Sequence, residues 1–165
     1  MAVPRYIQNF SRRRAILVSD DLRVGAALSP ILSRLGLTIC QKATAEGPIE
    51  LAPAELDPCL DVILVDGDLP RMPVVPRAAS GDAGPFVPVV GLVGVEAPSR
   101  LKTLLQIGAT AFLAKPIHAG SVYSALYLAV NEHARKAELS GALEVHEQRR
   151  RQRRFVIKAV LKVMQ

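Results

Sequence analysis

The feature that most restricts the fold is a set of short apolar runs, each stopped by polar residues. Ala15-Ile16-Leu17-Val18-Ser19 stops at Asp20-Asp21, and Val62-Ile63-Leu64-Val65 stops at Asp66. Ala111-Phe112-Leu113-Ala114 stops at Lys115-Pro116. Runs this short, apolar at consecutive positions, are the pattern of strands buried on both faces, as in a parallel sheet. Leu37-Thr38-Ile39-Cys40 and Val87 to Val93 supply two more. After the first run, Leu22, Val24, Ala27, Leu28, Ile31, Leu32 and Leu35 recur at helical spacing, and Gly36 supplies the stop. Residues 98–107 predict another helix, closed by Gly108. Gly47, Pro48, Pro53 and Pro58 allow at most a stunted helix between Ala43 and Pro58, and the prolines around residues 73–88 leave little room for one there. From His118 to Gln165 there is one glycine, Gly141, and no proline. That stretch predicts a single helix about 70 Å long at 1.5 Å per residue. Strands alternating with helical segments give a doubly wound α/β fold, a five-stranded parallel sheet with helices on both faces, followed by a long C-terminal helix.

In such a sheet the functional crevice lies beyond the carboxyl ends of the strands. Asp20 and Asp21 end the first strand there, Asp66 the third and Lys115 the fifth. Three converging carboxylates repel one another unless a cation joins them, and hard ions such as Mg²⁺ prefer oxygen ligands. A lysine pairs with an oxyanion as a point charge. Carboxylates, Mg²⁺ and a lysine together suit phosphoryl transfer onto an aspartate. The alternative is that the aspartates cap helix N-termini at the sheet edge. One aspartate would favour capping; four polar residues at the ends of three strands favour a site.

Charge is distributed unevenly. Residues 1–148 hold 14 Lys/Arg and 15 Asp/Glu, whereas residues 149–165 hold seven Lys/Arg and no acid. The net charge of +6 therefore belongs to the tail. Half of the 165 residues are hydrophobic, which excludes a disordered chain. No apolar run approaches the roughly 20 residues that span a bilayer. Arg5, Arg12, Arg13 and Arg14 are followed by no long apolar stretch of the secretory kind. The expected location is the cytoplasm, without membrane contact. Cys40 and Cys59 are too few for a disulfide framework and read as small core residues. His118, His133 and His146 are too far apart to share a metal and read as surface or packing residues. Arg12, Arg13 and Arg14 read as keeping the edge of the first strand soluble.

The segments Ile16-Leu17-Val18-Ser19-Asp20-Asp21, Asp61-Val62-Ile63-Leu64-Val65-Asp66 through Leu69-Pro70, and Gly108-Ala109 through Lys115-Pro116 resemble a response-regulator receiver domain, over about residues 14–130. The resemblance implies a receiver, flavodoxin-like fold with Asp66 as phospho-acceptor. It implies Mg²⁺ held by Asp20, Asp21 and Asp66 with the backbone carbonyl of Asp68, Lys115 on the phosphoryl group, and a cis peptide before Pro116. Phe112 falls where the family has an aromatic that changes rotamer on activation. The family has Thr or Ser at the end of strand four, where a hydroxyl couples phosphorylation to shape. Val93 stands there, with nearly the shape of threonine and no hydroxyl. A sensor kinase or a ligand-binding regulator protein is the implied upstream partner.

The helical pattern continues past Val130, where receivers end, through Glu132, Ala134, Ala137, Leu139, Leu143 and Val145. Val122, Leu126, Ala129 and Leu143 share a roughly heptad stripe, interrupted by His133, Lys136 and Ser140. Arg149, Arg150, Arg151, Arg153 and Arg154 follow, and then Phe155 to Met164 form an apolar end that needs a partner. The expectation is a homodimer through residues 122–165. A receiver with stunted middle helices and a helical extension resembles the AmiR-type ANTAR transcription antiterminators, with Arg154 to Met164 similar to the start of their output domain. That resemblance implies RNA as the partner of a complete output domain. The arginines would neutralise its phosphates, or else form a solvated coiled-coil face. The organisation is thus a polar segment 1–13, a receiver-like domain 14–130 and a coiled-coil helix 131–165 leading into the output region. The competing expectation is a stand-alone pseudo-receiver adaptor that docks another protein. Neither is an enzyme, since nothing supplies a general acid or substrate pocket, and no helix-turn-helix follows for DNA.

Overall fold

The computed structural model describes residues 5–79, 84–94 and 97–164. Residues 1–4 of the N-terminal segment and Gln165 at the end of the expected dimer stretch lie outside the described residues. Five strands, β1 (Arg14–Val18), β2 (Thr38–Lys42), β3 (Asp61–Asp66), β4 (Val89–Val93) and β5 (Ala111–Ala114), form one parallel sheet in the order β2-β1-β3-β4-β5. Helix α1 (Leu22–Arg34) lies between β1 and β2, α2 (Pro98–Gln106) between β4 and β5, and α3 (Ala119–Val163) follows β5.

Each strand alternates its side chains between two cores, which is why the strands read as unbroken apolar runs. Ala15, Leu17, Val62, Leu64, Val90, Leu92 and Leu113 pack under α1 and α3, against Leu28, Leu32, Val122, Leu126 and Ala129. Ile16, Val18, Ile63, Val65, Val89 and Val93 face the opposite side, covered by Leu104 of α2 and by Leu51, Leu56, Leu69 and Val87 from the irregular segments. Those segments hold two single 3₁₀ turns, Thr44–Glu46 and Pro53–Glu55. Their prolines remove helix donors, and extended pairing replaces helix. Leu51 N donates to Val74 O, Val74 N to Ile49 O, and Phe86 N to Pro76 O.

Helix α1 ends as its sequence predicts: Gly36 adopts φ +84°, and a Cβ there would press on Ser11. The Lys115-Pro116 peptide is cis.

Four expectations are corrected. Cys40 and Cys59 are exposed, because β2 is an edge strand and Cys59 sits in the turn before β3. Arg14 does more than keep the edge soluble: it makes a two-pronged pair with buried Asp61, Nε–Oδ1 3.0 Å and Nη2–Oδ2 2.6 Å. The segment read as polar docks on the domain. Phe10 is 2% exposed, Asn131 accepts from Ile7 N and donates to Ile7 O, and Tyr123 donates to Gln8 O. Finally, Val122, Ala125, Leu126, Ala129 and Val130 are buried against their own sheet. The first turns of α3 are therefore core rather than dimer surface. Leu139, Leu143 and the residues from Phe155 to Met164 remain exposed.

Candidate functional site

The carboxyl ends of β1, β3 and β5 open onto one depression lined by Asp20, Asp21, Leu22, Asp66, Asp68, Leu69, Pro70 and Lys115. Parallel pairing aligns Val18 with Val65, which brings the residues after β1 beside Asp66. Asp66 is 3% exposed, and both of its carboxylate oxygens accept hydrogen bonds. Oδ2 accepts from Ser19 Oγ at 2.7 Å, while Oδ1 accepts from Lys115 Nζ at 2.6 Å and from Asp68 N at 3.0 Å. Lys115 also donates to Asp68 Oδ2 at 3.1 Å. Burial pulls the Lys115 ammonium down, but the hydrogen bonds and charges of Asp66 and Asp68 outweigh it and hold the pKa above its usual value. Asp68 is shared with α2: Arg100 Nη1 lies 3.4 Å from Asp68 Oδ1 and donates to Gly67 O at 2.8 Å. Gly94, just past β4, keeps this arrangement open, since a Cβ there would collide with the Asp68 carboxylate.

The acidic pair after β1 is occupied by the chain's own donors. Asp21 caps α1 by accepting from Arg23 N at 2.9 Å, and it pairs with the Arg23 guanidinium at 3.1 Å. The side-chain and backbone hydrogen bonds from Arg23 hold the Asp21 carboxyl below the usual carboxylate range. Asp20 accepts from Thr44 N and Thr44 Oγ1. The capping alternative thus describes Asp21, while Asp66 caps nothing. Among the described residues no three Asp, Glu, His or Cys side chains come together as a metal donor set. Asp20, Asp21, Asp66 and Asp68, the residues expected to hold Mg²⁺, line the same depression, and in this structure their carboxylates accept from Thr44, Arg23, Ser19 and Lys115.

Val93 is buried at the end of β4, with Lys115 N donating to its carbonyl at 2.9 Å. Phe112 is 41% exposed on β5, and its ring lies over Gly91, where a Cβ would approach Phe112 Cδ1 to 3.0 Å. Arg149, Arg150, Arg151, Arg153 and Arg154 are exposed on α3 and line no part of this depression. His133 is a packing residue, its Nε2 lying 3.2 Å from both Pro85 O and Phe86 O. The sequence reading missed Ser19, Arg100, Gly94 and the side chain of Asp68. A hydroxyl ending an apolar strand next to two aspartates was the available signal for Ser19. Arg100 carries no local signal, since only the fold brings α2 to Gly67.

No protein-family model matches the chain. The swarming motility regulation protein RssB of Serratia marcescens is 34% identical over 103 residues, 61% of this chain. The match spans 45% of RssB, so less than half of that relative is represented. Among solved structures, the chemotaxis response regulator CheY4 of Vibrio cholerae is 20% identical with TM-score 0.51, covering 70% of this chain and 97% of CheY4. Full-length FixJ from B. japonicum is 16% identical with TM-score 0.53, covering 84% of this chain and 65% of FixJ. The likeness to these structures is one of fold: the chain has the CheY-like receiver fold, a five-stranded parallel sheet with flanking helices, and a long C-terminal helix follows it.

Proposed function

We propose that this protein is a signal-transduction response regulator that accepts a phosphoryl group on Asp66 and passes the change to helix α3 and what lies beyond it. The observation that carries this reading is the pair Asp66–Lys115: a carboxylate 3% exposed at a strand end, with an ammonium 2.6 Å away. An Asp66 carboxylate oxygen attacks the phosphorus of a phosphodonor and a new P–O bond forms, while the donor's bond to phosphorus breaks: P–O as an acyl phosphate's carboxylate leaves, or P–N as a phosphohistidine's imidazole leaves. Lys115 then offsets charge on the transferred group as a point charge.

The output belongs to α3. Its exposed apolar residues Phe155, Val156, Val160, Val163 and Met164 need cover, and a second copy of the same helix from residue 131 onward gives a homodimer. The arginines at 149–151 and 153–154 would then place a basic surface beside the dimer end. That placement supports an RNA-directed antitermination role of the ANTAR type. RssB, a motility regulator by name, is consistent with a regulatory task. The second reading, a docking adaptor without phosphorylation, is favoured by Val93, which offers no hydroxyl, and by Asp20 and Asp21, which are held by Thr44 and Arg23.

The test is incubation of the full chain with acetyl phosphate and Mg²⁺, followed by intact mass spectrometry beside Asp66→Asn. A single phosphoryl adduct absent from the variant is expected. An unmodified wild type leaves the adaptor reading.

A further inference from the structure

We propose that Arg100 reads the charge at Asp66 and carries it to helix α2, the task for which Val93 lacks a hydroxyl; this rests on Asp66 being phosphorylated. The carrier is an alternating row of charges. Asp66 Oδ1 lies 2.6 Å from Lys115 Nζ, the same Nζ lies 3.1 Å from Asp68 Oδ2, and Asp68 Oδ1 lies 3.4 Å from Arg100 Nη1. The row runs from the acceptor to the first turn of α2, where Arg100 is the third helical residue. Among the described residues no side chain caps that turn. The Arg100 guanidinium ties it to the carbonyl of Gly67, the residue directly after the acceptor. Gly94 lets the row close, because any larger residue there displaces the Asp68 carboxylate.

A phosphoryl group carries about −1.5 to −2 charges where the Asp66 carboxylate carried one, so the position gains about half to one negative charge and moves it outward onto the phosphoryl oxygens. Lys115, already nearer Asp66 than Asp68, follows that charge. Asp68 is left with Arg100 as its cation, and their contact closes from 3.4 Å to a charge-assisted hydrogen bond of about 2.8 Å. Because Arg100 belongs to α2, the closure draws the first turn of that helix onto the loop after β3. In this scheme Val93 stays in the apolar core, and Arg100 is a positioning residue that acts through Asp68 and Gly67 without touching the phosphoryl group.

The experiment compares wild type, Arg100→Ala, Arg100→Lys and Asp68→Asn as full chains, with and without acetyl phosphate and Mg²⁺. Intact mass reports the adduct, and hydrogen exchange reports peptides covering residues 98–106. Wild type is expected to take the adduct and slow its exchange in the first turn of α2 about fivefold, the effect of one strong exposed ion pair. Arg100→Ala takes the adduct with no slowing, Arg100→Lys recovers part of it, and Asp68→Asn cuts the row at another link and shows none. Equal slowing in wild type and Arg100→Ala, or an adduct on wild type with no slowing, overturns the role of Arg100 and leaves phosphorylation standing. Absence of any adduct overturns both.

Discussion

Truncating Phe10 tests whether the first described residues belong to the domain. The ring is 2% exposed within the core under α1 and α3, and it meets Tyr123 edge-on with centroids 5.5 Å apart. Phe→Ala removes about 120 Å² of buried apolar surface, worth about 3 kcal/mol at 25 cal/mol per Å². The lost edge-to-face contact and the residual cavity add about 1 kcal/mol. Phe10→Ala is therefore expected to cost about 4 kcal/mol. With a urea slope of about 2 kcal/mol per M, the midpoint falls by about 2 M. Tyrosine fluorescence is a suitable reporter, because the chain has no tryptophan and two of its three tyrosines, Tyr123 and Tyr127, lie on α3 close to this segment. A loss under about 1 kcal/mol would refute the reasoning: the segment would then be an accessory strap rather than part of the core.

Replacing Lys115 by Met leaves the Asp66 carboxylate buried beside Asp68 without its cation. With a discount for the partial exposure of the lysine, the cost is about 2 kcal/mol in chemical denaturation, and Asp66→Asn on the same background recovers most of it. Burial, with Arg13 and Lys136 nearby, lowers the pKa of His133 below its ordinary 6.5, against the opposing pull of the Pro85 and Phe86 carbonyls. The unfolded chain therefore binds the proton more readily, and stability falls as pH drops from 6.5 toward the folded value. Melting curves across that window should show a drop that His133→Gln flattens. Light scattering of the full chain at micromolar concentration is expected to give a dimer, and Val156→Asp with Val160→Asp a monomer. A wild-type monomer would sink the pairing of α3.

The strands were legible because burial on both faces writes itself as consecutive apolar residues, and α3 because its sequence lacks breakers. The strand-end cluster is legible because parallel topology gathers the strand ends, and Asp66 and Lys115 meet there at 2.6 Å. What the sequence concealed depends on partners far along the chain. Asn131 brackets Ile7 from 124 positions away, and Arg14 meets Asp61 across 47. Two apolar residues, Ile7 and Phe10, among polar neighbours give no periodicity, so their docking had no local signature. Cys40 is exposed although it ends an apolar run, because such a run does not reveal that its strand lies at the sheet edge. The turn of each carboxylate is hidden for a related reason: spacing places carboxylates at strand ends, but nearby donors such as Arg23 and Thr44 decide where each one points.

Helix α3 is 45 residues long, and the last residue it buries against the sheet is Val130. The stretch from there to Val163 is about 50 Å at 1.5 Å per residue. It acts as a lever with its fulcrum at the domain. A tilt of about 5° at Val130 sweeps the far end sideways through about 4 Å, nearly half the roughly 8–10 Å that separates packed helices. Motion too slight to notice within the sheet thus arrives at the arginines and the apolar tip as a sideways shift on the scale of helix spacing, enough for two helices to mesh or miss.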